Sequence, residues 1–123
     1  MLRKFILLSA LAGSLMALEP KVVTEAKAMT KAGQHPEAIA ALEAALKTSP
    51  KDAAAIKTAL SSSYLAMADA NMFNDALPPM RKYPAALRAY RKVLDYDKTN
   101  AKATANIKTI EDIYKSMGRP VPQ

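Results

Sequence analysis

From Pro20 to Ala32, Val22, Ala26 and Met29 recur three or four residues apart among polar neighbours, which places them on one side of an α-helix. Gly33 follows, and its freedom at positive φ suits a helix end. The same period returns over Asp52 to Ala68, through Ile56, Ala59 or Leu60, Ser63 or Tyr64, and Met67. It returns once more over Ala101 to Met117, through Ile107, Ile110, Tyr114 and Met117. Asp52 and Asn100 stand where an N-cap is expected. Gly118-Arg119-Pro120-Val121-Pro122 stops the last helix, leaving 118–123 as a flexible tail. The expectation is an all-α chain.

The two remaining helical segments match each other. His35-Pro36-Glu37-Ala38-Ile39 continues through Leu42, Ala45 and Leu46 to Ser49-Pro50-Lys51-Asp52; Tyr83-Pro84-Ala85-Ala86-Leu87 continues through Tyr90, Val93 and Leu94 to Asp97-Lys98-Thr99-Asn100. Such self-similarity marks a repeat architecture. Each block reads as a helix with Pro in its first turn, where no amide donor is lost, followed by a polar turn. Each is preceded by one of the helices above.

The first helix pair spans about 34 residues, Glu19 to Asp52, with Ala26, Gly33, Ala38, Ala45 and Pro50 at fixed separations. This pattern resembles a tetratricopeptide repeat. Ser61, Tyr64, Ala86, Tyr90 and Val93 continue the likeness in the second unit, while Val22 and Lys57 stand where the family has an early aromatic. The resemblance implies an antiparallel helix-pair solenoid: units 19–52 and 53–100, a capping helix 101–117, and helical residues overall from 18 to 117. The matching blocks lie 48 residues apart because of one extra residue near Ala53 and an insertion at 70–82. That insertion is expected in the turn between the helices of the second unit, where Pro78-Pro79 prevents continuous helix. Met72, Phe73, Leu77 and Met80 either fold back over the stack or stay partly exposed to meet a partner. Folding back is favoured, since four large apolar groups in water invite aggregation.

Residues 1–17 read differently. Arg3 and Lys4 precede an uncharged apolar run from Phe5 to Leu18 that ends before Glu19-Pro20, the outline of a secretory signal peptide cut after Ala17 or near Ala12-Gly13-Ser14. The run is shorter than the roughly 20 residues of a membrane-spanning helix. An exported protein, periplasmic or secreted, is expected, and without cysteine it has no thiol to acylate.

Composition sharpens this picture. Of 123 residues, 25 are alanine and seven aromatic, which favours close-packed helices over sheets. Removing residues 1–17 leaves 16 basic against 11 acidic side chains. A moderately basic domain attracts acidic proteins, anionic lipid or other polyanions without specifying one. The densest basic cluster is Arg81, Lys82, Arg88, Arg91 and Lys92. Aromatics are not interleaved with it as base-stacking surfaces require, so nucleic acid is not expected.

Catalytic chemistry has no visible carrier. One His, no Cys and no nucleotide, zinc-protease or nucleophile motif argue against an enzyme, and no cofactor or metal is expected. His35 reads as a packing residue at a helix turn. Ser61-Ser62-Ser63 reads as small residues that let helices approach, since no base accompanies it. Binding is the expected function. In a curved array the first helices line the concave side, and the helical phase places Val23, Lys27, Thr30 and Lys31, then Thr58, Ser62 and Leu65, then Lys102, Asn106 and Thr109 there. The expected role is an adaptor whose groove holds an acidic or mixed segment of another protein; the alternative is an envelope component holding an anionic lipid or polymer through the basic cluster. Self-association through the last helix or the insertion is a third possibility, because a short array has two ends to cover.

Overall fold

The computed structural model describes residues 18–123 as five α-helices: α1 (Lys21–Lys31), α2 (His35–Thr48), α3 (Ala53–Met72), α4 (Pro79–Tyr96) and α5 (Ala101–Ser116), with a single 3-10 turn at Pro50–Asp52. No strand occurs among the described residues. The proposed leader, residues 1–17, lies outside them. No helix described is long and apolar enough to cross a membrane.

Glycine sets two of the helix ends. Gly33 has φ +79°, and its N–H donates to the Thr30 carbonyl (3.0 Å) while that of Gln34 donates to Met29 (2.8 Å). Gly118 repeats the arrangement at φ +65°, with Gly118 donating to Lys115 and Arg119 to Tyr114, both at 3.0 Å. Each paired closure satisfies carbonyls that the helix end would otherwise leave orphaned. The two expected N-caps diverge. The Asn100 side chain accepts from the Ala103 N–H at 2.9 Å, whereas Asp52 makes no capping bond, because its backbone closes the 3-10 turn that Pro50 opens.

The core follows the repeat. Ala38 and Ala86, and Leu42 and Tyr90, pairs 48 positions apart, are all fully buried, with Ile56, Leu60, Leu87, Val93 and Ile110 beside them. Burying each large aliphatic side chain is worth about 1.5–3 kcal/mol before its entropy cost. Ala26 and Ser61, the expected small positions of the first helices, are buried as well. α1 packs on α2 and α3, α2 on α3, α3 on α4, and α4 on α5.

The insertion is absorbed largely as helix. By analogy with the end of α1 at Lys31, α3 would stop at Ala66; it runs on to Met72. By analogy with α2, α4 would begin at Tyr83; it begins at Pro79. Only 73–78 remain as loop. One consequence corrects the expectation for Pro84: it is not in the first turn but inside α4, where it leaves the Met80 carbonyl without an i+4 donor. Pro36 does stand at the start of its helix. The four apolar side chains divide: Met72 is buried and Leu77 half-buried, but Phe73 and Met80 are 63% and 50% exposed.

Candidate functional site

α1 and α3 face each other through small side chains, Ala28 on one and Ala59, Ser62 and Ser63 on the other. Two helices in contact that carry alanine and serine at their outer edge cannot fill the angle between them, so a trough of about 510 Å³ remains. Lys27 and Lys31, one helical turn apart, stand along one rim. At the base the hydroxyls of Thr30 and Ser63 are 3.2 Å apart, tying α1 to α3. Lys27 is paired with Glu19, which also accepts from Thr24 at 2.9 Å. Both contacts, the Lys27 one foremost, lower the Glu19 pKa below its usual value. Lys31 has no carboxylate within 4 Å among the described residues, so the rim keeps a net positive charge.

A second hollow of about 680 Å³ continues the trough past Lys27 and Ser62 toward Pro20, Lys51 and Thr58. Of the residues that helical phase assigned to a groove, Lys27, Thr30, Lys31, Thr58 and Ser62 line these two hollows where α1 and α3 meet. Val23 forms part of the wall but is 3% exposed and belongs to the core. Leu65 is half-buried against the core and lines neither hollow.

The α5 candidates do not join them. Lys102 reaches Asp69 at 2.6 Å, and Asn106 donates to the Tyr90 hydroxyl at 2.9 Å. The Tyr90 hydroxyl in turn donates to the other Asp69 oxygen at 2.5 Å. This chain of bonds pins α3, α4 and α5 together. Burial, followed by the Asp69 carboxylate, pushes the Tyr90 pKa well above the tyrosine range, with Asn106 acting in the opposite sense. Thr109 is exposed and its hydroxyl is bonded to the Ala105 carbonyl.

The basic cluster divides in two. Arg88, Arg91 and Lys92 share one side of α4 and line a cleft of about 490 Å³ between α3 and α4, together with Tyr64, Met67 and Asn71. Arg81 and Lys82 stand outside it at the start of α4, with Lys82 5.1 Å from the centre of the Tyr83 ring. Tyr64 donates to Glu43 at 2.6 Å and stacks on Tyr96 with ring centres 6.1 Å apart. Burial first, and then Glu43, raises its pKa.

Sequence reasoning missed Glu19 and Asp69 as organisers of these surfaces. Ser63 was accessible from the serine run: three consecutive helical positions point three ways, and Ser61 and Ser63 are buried while Ser62 faces the trough. Among the described residues no three His, Asp or Glu side chains gather as a metal site would need.

No family model, curated protein or solved structure matches the chain.

Proposed function

We propose that the protein is an exported, non-enzymatic adaptor built from two tetratricopeptide-like units, α1–α2 and α3–α4, stacked as antiparallel pairs and closed by α5. It binds an acidic or mixed segment of another protein in the trough between α1 and α3. The observation that carries this reading is the meeting of two first helices across an open hollow whose walls bring together Lys27, Thr30, Lys31 and Ser62. The equal burial of residues 48 apart supports the repeat. Small side chains on the floor let an extended backbone approach closely, and the lysine rim favours carboxylates.

A photo-crosslinker at Ser62 tests the reading in the native envelope. Labelling of a protein partner that is lost in a Lys27→Glu, Lys31→Glu double variant supports it; the same labelling in both chains counts against it.

The second reading, an envelope component holding an anionic lipid or polymer, draws on the shared cleft of Arg88, Arg91 and Lys92. Arg91 is already engaged with the Pro122 carbonyl at 2.9 Å, which weakens this alternative. Steep loss of vesicle binding between low and moderate salt would favour it, since exposed charges are screened.

A further inference from the structure

The cleft between α3 and α4 lies on another flank of α3 from the trough and has an occupant beside it already. Pro120 and Pro122 each hold φ near −65° and bias Arg119 and Val121 toward extended backbone, and 119–123 form neither helix nor turn. Gly118 at φ +65° turns this segment away from α5. Val121 packs against the edge of the core, Arg91 Nη1 donates to the Pro122 carbonyl at 2.9 Å, and Gln123 stands in the cleft wall. Of 119–123 only Gln123 lines the cleft, and the rest of it is open.

That open part has what an extended, proline-containing ligand uses. Tyr64, only 8% exposed and backed by Tyr96, contributes a little apolar surface beside Met67. Ala85 and Ala89 leave room for a backbone, and Arg91 supplies a donor for a carbonyl that has no partner within an extended strand. Arg88 has no carboxylate within 4 Å among the described residues and Lys92 reaches Asp95 only at 3.8 Å. Asp95 also lines the cleft, so with Arg88, Arg91 and Lys92 the rim stays net positive and complementary to acid.

We propose that the α3/α4 cleft docks an extended, proline-flanked aliphatic segment of another protein that also carries acidic side chains, and that residues 119–123 guard the cleft in cis by holding its Arg91 donor. An incoming segment meets Arg88 and Lys92 first, then takes Arg91 from the Pro122 carbonyl and loosens Val121 from the core edge. A second copy of this chain presenting 119–123 is not the occupant, because that segment carries Arg119 and no acidic side chain. A tethered segment competes at an effective concentration in the millimolar range, so the unaltered chain binds free peptide weakly.

The test uses the full chain and a fluorescent synthetic peptide, Glu-Pro-Val-Pro-Glu. Val121→Asp releases the guard, and this variant, with helicity checked by circular dichroism, is expected to bind the peptide at least tenfold more tightly than the unaltered chain. Adding Arg88→Glu is expected to remove at least tenfold of that affinity, whereas adding Lys47→Glu, exposed on α2 and outside every hollow described, leaves it unchanged. Should Val121→Asp fail to fold, the unaltered chain is titrated with peptide by NMR: the Val121 methyls are expected to shift toward free-chain positions as the Ala89 methyl shifts. Equal affinity of the two chains, saturation without movement of Val121, or binding of anionic vesicles but not of peptide would overturn the proposal and leave 119–123 as a fixed edge cover.

Discussion

Single side chains decide more here than their number suggests. Asn100 caps α5 and Asp52 does not cap α3, although both looked equally suited to the task. Asn100→Ala is therefore expected to cost about 1 kcal/mol, and Asp52→Ala less than about 0.5 kcal/mol, as for an ordinary surface position; urea unfolding of the two variants measures both. Tyr90 and Tyr114 are both buried, but the Tyr90 hydroxyl bonds to Asp69 and Asn106, while that of Tyr114 has no partner among the described residues. Tyr90→Phe should destabilise by about 1–3 kcal/mol, because a charged acceptor loses its donor. Tyr114→Phe should be neutral or slightly stabilising, as no hydrogen bond is lost. The raised pKa values of Tyr64 and Tyr90 add a pH dependence. The unfolded chain ionises these tyrosines near the ordinary value of 10.0, whereas the folded chain retains the protons to higher pH. Stability is thus fully present below that value and falls as pH climbs beyond it. Tyrosinate absorbance and circular dichroism followed together should show both residues ionising only as helicity is lost; ionisation with the helices intact would contradict the assignment.

At the level of elements, the five helices were legible because their apolar spacing and their stops agree. Gly33 and Gly118 mark ends that the backbone closes in the same way, and the stripe Ala38, Leu42 with its copy Ala86, Tyr90 marks the buried faces. The insertion was misread for a physical reason. Pro78-Pro79 does interrupt helix, but Pro79 also has the φ that starts one, so α4 begins there and continues through Pro84. Local pattern could not show that tertiary contacts would offset a missing hydrogen bond within α4. Pro84→Ala is accordingly expected to raise the melting temperature, with a gain on the order of 1 kcal/mol. Pro36→Ala, at a position that needs no donor, should lower stability by several tenths to about 1 kcal/mol. Of the groove, the α1 and α3 parts followed from helical phase. The α5 part did not, because phase reports which way a side chain points but not that Asp69 and Tyr90 wait there to engage Lys102 and Asn106.

Across the whole molecule, cohesion is uneven. α3 touches α1, α2 and α4, whereas α5 packs chiefly against α4 and is tied to α3 through Lys102 and Asp69. Elements with fewer partners open at lower free energy. Amide hydrogen exchange should therefore find α5 exchanging before α3, and Asp69→Asn should speed exchange in α5 much more than in α1; uniform acceleration along the chain would show that Asp69 supports the entire stack rather than one end.

The lengthening of α3 and α4 has a mechanical side. At 1.5 Å per residue α3 is about 30 Å long against about 17 Å for α1, so the α3/α4 hairpin projects past α1 as a lever arm, with Phe73 near its tip, steadied on the α4 side where Arg119 reaches Met80 at 3.8 Å. A load applied at that tip is carried along a stiff rod to Ala59 and Ser62, and tilts one bank of the trough against the other.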